Sequence, residues 1–420
     1  MKKSYTPKIV CLLLAALVVL MLSLCGCETV GMSDTVTLYV YNWGEYISDG
    51  SEGCLDSNKA FEEWYYDTYG QKVKVNYSTF SSNESLYAKL SSGSVNYDII
   101  VPSDYMIERL IAEDLLAPLN YDNIPHAAEN LLPEFFGATS EHSDYDPGNV
   151  YSVPYMYGMI GIIYNTSIIP EDEPNIGSWE LMWDEKYEGN ILQFNNSRDA
   201  FGSAQYLLGI DVNTDNEEEW RAALDKLREQ KPILQGYVMD EIYNKMENGS
   251  AAIAAYYAGD YLAMYENNDD LEFFYPEEGT NLYVDAMCIP KTAKNKEIAE
   301  LYIDFMLTEE PAVANAEYTY YASPNRVVVE SEEYIEYMAE IKEDAYEKMY
   351  ATNSVKTSTY KNLSGEKLIL INTLWEELKS DVTVSTAIYV ICGLIVGVLV
   401  VWALTSYITK SYRRKFYTNK

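Results

Sequence analysis

The stretch VTLYVYNWGEY, residues 36–46, decides how this chain is read. Val36 to Tyr41 alternate as a half-buried strand does, and they run directly into Asn42, Trp43, Glu45 and Tyr46. A strand leaving a sheet usually ends in small polar turn residues. Here a large aromatic and a carboxylate stand at the exit. Two more strands follow: KVKVNY (72–77) alternates, and YDIIVP (97–102) is the short apolar run of a buried parallel strand. Between them lie two helices. NKAFEEWYYDTYG is amphipathic and stops at Gly70; SSNESLYAKLSSG opens with Ser81 and Glu84 in capping-box spacing and closes at Gly93. Alternating strand and helix imply a parallel sheet with right-handed crossovers.

Ligands of such sheets sit beyond the carboxyl ends of the strands. The first strand end presents Asn42, Trp43, Glu45 and Tyr46, the second leads into STFSSNES, and the third into Ser103, Asp104 and Tyr105. Hydroxyls are ordinary in turns. Two large aromatics on one rim are not, because a solvated turn gives them little to bury against, and Trp43 with Tyr105 therefore mark a ligand rim.

Further along, YSVPYMYGMIGIIYN (151–165) is a long extended run containing Pro154, followed by expected helices at 179–184, 198–208, 217–230 and 239–248. AAIAAYYAGD (251–260) and LYVDAMCIP (282–290) read as apolar strands that each meet an aspartate, and KNKEIAELYIDFML (295–308) as an amphipathic helix. No repeat or low-complexity linker divides the chain, so it passes between lobes more than once.

The bulk numbers bound the function. With 420 residues, 48% hydrophobic and 23% charged, the chain holds two domains with a real core. Its net charge is −35. Lys2, Lys3 and Lys8 are the charges of residues 1–27, and Lys410, Arg413, Arg414, Lys415 and Lys420 face only Asp381 beyond residue 380. Residues 28–380 thus hold 22 basic and 64 acidic side chains. Such a surface repels nucleic acid and anionic lipid and draws cations.

Both ends carry membrane signals. MKKSYTPK and the apolar run after it form the n- and h-regions of a signal, leading into LCGC, with Cys27 the expected lipidated residue and Cys25 the second choice. VSTAIYVICGLIVGVLVVWALTSYI (384–408) is uncharged and long enough for a transmembrane helix, and TKSYRRK after it sets a basic cytoplasmic tail, 409–420. The expectation is an outer domain held on the extracytoplasmic side of the cell membrane. Of six cysteines only Cys54 and Cys288 stand outside these segments; they are free to pair, but their spacing does not require it.

Catalytic signals are poor. His126 and His142 are the only histidines, no G-x-S-x-G or phosphate loop occurs, and SGEK (364–367) is a chance-level S-x-x-K match. No metal site or cofactor is expected. The positive signal is aromatic plus acidic: Trp43 with Glu45, Tyr257 with Asp260, Tyr283 with Asp285, in a chain with 40 tyrosines. Ring faces attract ammonium groups, worth roughly 0.5–2 kcal/mol each, and carboxylates fix them by ionic hydrogen bonds.

At these residues the chain resembles the polyamine-binding proteins of bacterial ABC transporters, over about residues 36–380. The resemblance rests on YNWGEY, STFSSNESLYAKL, YDIIVPSDY, YSVPYMYG, SWELMWDEKYEGNIL, YVDAMCIPKTAKNKE and YYASPN, in that order. It implies a two-lobed α/β periplasmic-binding-protein fold, parallel-sheet lobes joined by crossing hinge strands, with 34–150 and 285–320 in lobe 1 and 151–284 and 321–380 in lobe 2. Carried over by motif, Trp43, Tyr46, Ser103 and Tyr105 wall the ligand from the first lobe. Asp199, Tyr257, Asp260, Tyr283 and Asp285 face it from the other side, and Glu45 sits where relatives have a polar or acidic residue. Tyr257 replaces a usual Trp, Asn196 replaces an aspartate of spermidine-type members, and Asp260 matches putrescine-type ones. Lys361 falls near a polar ligand-contacting position. The implied role is a non-enzymatic substrate-binding subunit that captures putrescine or spermidine, with a slight lean to putrescine, and delivers it to permease subunits. The alternatives are a membrane-anchored acidic hydrolase and a solute sensor on a membrane stalk.

Overall fold

The computed structural model describes residues 35–380 together with 400–402 and 405. Ten strands form one continuous network: β1 (Val36–Trp43), β2 (Val73–Phe80), β3 (Ile99–Ile100), β4 (Ser152–Asn165), β5 (Ile191–Phe194), β6 (Leu234–Val238), β7 (Ile253–Tyr257), β8 (Leu271–Phe274), β9 (Thr280–Cys288) and β10 (Thr357–Ser358). The order is β2-β1-β3-β9-β4-β7-β5-β6, with β8 on β4 and β10 on β9. β1 is parallel to β2 and β3, and β5 to β6 and β7, so each lobe has a parallel centre. β4 and β9 run antiparallel to each other, β9 also to β3 and β4 also to β7 and β8, and link the two, while the short β10 lies parallel to β9.

The crossing is explicit in the register. Ser152 to Met159 of β4 pair with β9, whereas Ile160 to Asn165 pair with β7 and β8. A strand buried along nearly its whole length, as β4 is, needs apolar residues at every position, which the sequence supplies. Pro154 interrupts it. Proline has no N–H for the ladder, and the register shifts between Pro154 and Met156. The bulged Tyr155 turns its hydroxyl to the Tyr46 carbonyl at 3.0 Å. A hinge-strand irregularity thereby fixes the loop after β1.

The expected two-lobed α/β architecture with crossing strands is the observed one; its transmembrane helix is not. Among the described residues no helix is long and apolar enough to cross a membrane. Spanning needs about 20 apolar residues, and the longest described helix, Gly365–Ser380, has 16 and carries Glu366, Lys367, Glu376, Glu377 and Lys379. Most of 384–408, the signal segment 1–27 with Cys25 and Cys27, and the tail 409–420 lie outside the described residues.

Local differences have simple causes. The strand read over 251–260 stops at Tyr257, because Ala258–Tyr265 is a helix with Asp260 in its first turn. The helix read from Ser81 begins one residue later: Ser82 accepts from the Ser85 N–H, and Ser85 returns the bond. Glu84 is thereby free of the cap. Cys54 and Cys288 are both free thiols.

Candidate functional site

The carboxyl ends of β1, β2 and β3 and the start of the second lobe enclose a cavity of about 750 Å³, counting the open space at its mouth. Trp43, Glu45, Tyr46, Ser103, Tyr105, Asp199, Tyr257, Asp260, Tyr283 and Asp285 all line it. The loop after β1 explains its own share. Asn42 is buried, its Oδ1 accepts from the Trp43 N–H at 2.8 Å, and Glu45 adopts a left-handed φ of 48°. Such a conformation in a non-glycine residue carries strain and collects at functional turns. It brings Trp43 and Tyr46 to the same cavity.

In the cavity wall Asp199, Asp260 and Asp285 are each held by hydroxyls or amides, with no ion pair to a cation among the described residues. Asp285 on β9 accepts from the Tyr46 hydroxyl at 2.8 Å and the Ser103 hydroxyl at 2.6 Å. Asn83 fixes Ser103 in turn, donating to its hydroxyl at 3.0 Å and accepting from its N–H at 3.1 Å. Asp260 accepts from Tyr243 at 2.8 Å and Tyr321 at 3.0 Å. Asp199 accepts from Tyr257 at 2.7 Å and from the Asn196 amide at 2.8 Å. Glu84, released from the helix cap, accepts from the Tyr105 hydroxyl at 3.0 Å.

The rings close on one another at steep angles. Tyr46 meets Tyr321 edge-on at 4.8 Å, and Tyr257 meets Tyr283 at 5.4 Å and 78°. Two glycines make this approach possible. A Cβ on Gly158 would lie 2.5 Å from the Tyr283 hydroxyl, and one on Gly259 would lie 2.3 Å from the Tyr321 ring. Tyr283 and Asn281 are buried, and the Tyr283 hydroxyl and Asn281 Oδ1 have no partner among the described residues. Buried polar atoms are nearly always paired, so unpaired ones in a cavity wall mark a place for a ligand.

The electrostatics point one way. Glu45, Asp104, Asp199, Asp240, Asp260 and Asp285 line the cavity, and among the described residues no Lys, Arg or His does. Burial pushes Asp199 and Asp260 up to about 7 and Asp285 up to about 6, although their hydroxyl partners pull the other way. Asp104, which accepts from the Tyr105 N–H at 2.7 Å, is pushed up to about 8, again by burial first. Asp104, Asp199 and Asp260 each stand in the first turn of a helix, Asp104–Ala112, Ser197–Leu208 and Ala258–Tyr265, where the helix dipole favours a negative charge. Arg198 is the nearest buried cation. It lies behind the wall, its guanidinium 4.5 Å from the Tyr360 ring and 5.5 Å from the Tyr105 ring. It lowers Asp199 less than burial raises it. At the mouth, a wider hollow shares Glu45, Asp240 and Tyr243 with the cavity and is edged by Glu247, Glu266 and Glu317.

Residues 58–343 match the family model of the bacterial extracellular solute-binding proteins. The chain belongs to that family. As a solute-binding protein it is 32% identical over 301 residues to the spermidine/putrescine-binding periplasmic protein of Salmonella typhimurium, covering 71% of this chain and 81% of that one. It is 28% identical over 306 residues to the putrescine-binding periplasmic protein of Escherichia coli, covering 69% and 78%. A solved structure of a spermidine/putrescine ABC transporter substrate-binding protein from Streptococcus pneumoniae superposes with a TM-score of 0.63 at 32% identity, over 82% of this chain and 99% of that one. The family resemblance read from the motifs is thus borne out, and the family is one of binding proteins, not enzymes. The expected cell-membrane location with a cytoplasmic C-terminus is corrected: these relatives are periplasmic, and no described helix is long and apolar enough to cross a bilayer.

This solute-binding protein also has cavity residues that its sequence did not single out. Asp104 stands on the strand-end rim read from the sequence but is not among the expected ligand-binding residues, and Tyr321 stands in YYASPN without a role. Asp240, Tyr243 and Tyr360 carried no motif signal. Lys361 is absent from the cavity wall and pairs instead with Asp144.

Proposed function

We propose that the cleft binds a polyamine, putrescine or spermidine, and that the protein delivers it to the permease of an ABC transporter. The observation that carries this reading is an aromatic cavity, open at its mouth, lined by six carboxylates and, among the described residues, by no basic side chain. Ammonium ends would meet Asp199, Asp260 and Asp285, now compensated only by neutral hydroxyl and amide donors, and methylenes would lie against Trp43, Tyr46, Tyr105, Tyr257 and Tyr283. Glu45 meets a charged end at the mouth. A neutral ligand would leave several buried acids uncompensated, an arrangement that is strongly unfavourable. The relatives' names, spermidine- and putrescine-binding, support the same class of ligand. The balance between diamine and triamine follows from Asn196, an amide where a further charge would favour a longer cation, and it leans to putrescine.

The test is a calorimetric titration of the purified protein with putrescine, cadaverine, spermidine and spermine. Binding of at least one with a dissociation constant in the micromolar range or below is the expected result. No heat with any of them, while another solute binds, overturns the reading.

A further inference from the structure

We propose that residues 358–362 form a strap that is anchored on the second lobe and clasps the first, so that Glu108 and Asp144, outside the cavity, govern how long a ligand stays enclosed. The anchoring is extensive. The Ser358 hydroxyl meets that of Tyr206 at 2.6 Å, and the Tyr360 hydroxyl donates to the Arg198 carbonyl at 3.2 Å. Asn213 holds the strap twice, donating to the Thr359 carbonyl at 2.8 Å and accepting from the Lys361 N–H at 2.8 Å. Tyr206 and Arg198 belong to helix Ser197–Leu208 of the second lobe, and Asn213 to the loop after it.

At Lys361 and Asn362 the contacts change lobe. The Lys361 ammonium pairs with Asp144, and the Asn362 N–H donates to Glu108 Oε2 at 2.7 Å. Glu108 rides on helix Asp104–Ala112, whose first turn borders the cavity. The seam continues inward, where the Tyr360 ring meets Tyr105 edge-on at 6.1 Å and the Arg198 guanidinium lies 5.5 Å from Tyr105.

The two clasps differ in weight. Lys361 and Asp144 side chains are 37% and 55% exposed, so solvent and salt screen their attraction. The Glu108 bond is partly buried and joins a charged acceptor to a backbone donor, a stronger arrangement. Neither touches the cavity wall, and both must break before the lobes part. Contacts of this kind act on the dissociation rate more than on the association rate.

Two readouts on the full-length protein test the strap. The first rests on the polyamine reading above. Release of putrescine followed by stopped flow should be about tenfold faster in Glu108→Ala, a change of roughly 1.4 kcal/mol, with association changed less than about threefold. Asp144→Asn should speed release by about two- to threefold, and Asp144→Lys combined with Lys361→Asp should restore the original rate. Unchanged release in Glu108→Ala overturns the strap. The second readout needs no ligand: hydrogen exchange of the Asn362 amide should accelerate by about tenfold or more in Glu108→Ala while the melting temperature stays put. Unchanged exchange overturns the strap whether or not an amine binds. Failure of the unmodified protein to bind any amine overturns the proposed function alone.

Discussion

Tyr46 and Asp285 lie 239 residues apart in the chain, and the phenol of the first donates to the carboxylate of the second at 2.8 Å. The loop after β1 and the crossing strand β9 therefore share one hydrogen bond at the cavity floor. Replacing Asp285 with Asn keeps the shape and removes the charge. Amine affinity should fall by about a hundredfold, in line with roughly 2–5 kcal/mol for truncating one member of a buried charge pair. Titration calorimetry checks it, and unchanged affinity removes Asp285 from the site.

Proton linkage gives a second outcome. Asp199 and Asp260 titrate near 7 and Asp285 near 6 in the folded protein, above the unfolded aspartate value of about 3.9. Between those limits the folded state holds more protons than the unfolded one, so the ligand-free protein should lose stability as pH rises from about 4 to 7. An ammonium needs the ionised carboxylates, so its binding expels protons. Affinity should rise about tenfold or more from pH 6 to 8 and then level off while the amines stay charged. Titrations in buffers of different ionisation enthalpy will show proton release; an affinity flat across that range contradicts the account.

Tyr257→Phe isolates one donor. Asp199 loses its 2.7 Å phenol bond but keeps the Asn196 amide. Its titration should move higher, because that bond favours the ionised form. Binding should weaken at pH 7 and recover in part above pH 8. A uniform loss at every pH would point instead to lost ring contact.

Gly259→Ala tests the packing that seats Tyr321. The new methyl would lie 2.3 Å from its ring, which must shift and loosen its 3.0 Å bond to Asp260. Overpacking of this sort costs about 1–3 kcal/mol, read as a lower denaturation midpoint together with weaker amine binding.

Trp43 lines the cavity and packs on Phe80 with ring centroids 4.4 Å apart. Ligand should change its emission. Trp43→Phe should abolish that optical signal while calorimetric affinity falls by only about two- to thirtyfold, the range of one cation–π contact. A full signal in the variant would assign the change to another tryptophan.

The rim was legible because it needs only short-range pattern. Val36 to Tyr41 alternate, and whatever follows a parallel strand lands at its carboxyl end. What the pattern could not carry was pairing across the chain. Tyr321 and Tyr243 converge on Asp260 from distant segments, and in a chain with 40 tyrosines neither stood out. Asp104 was on the rim after the third strand, but only its burial in the first turn of a helix sets it apart from the other acids there. Glu84 was read as a cap because Ser81 and Ser82 offer the same chemistry one residue apart, and only the backbone geometry chose between them. The uncharged run at 384–408 gives a strong local signal for a membrane span; most of it lies outside the described residues, among which no helix is long and apolar enough to cross a membrane.

The place of β9 between β3 and β4 also bears on how the chain is made. The first lobe has β1, β2 and β3 in hand by residue 100, but the strand that joins them to β4 is Thr280–Cys288. In the second lobe, by contrast, β4, β5, β6, β7 and β8 are all synthesised by residue 274. During synthesis the N-terminal strands therefore wait, partly edged and unpaired, for a strand made only after β4 to β8. The centre of the sheet is thus closed by the last of its long strands, after the strands on both flanks have been made.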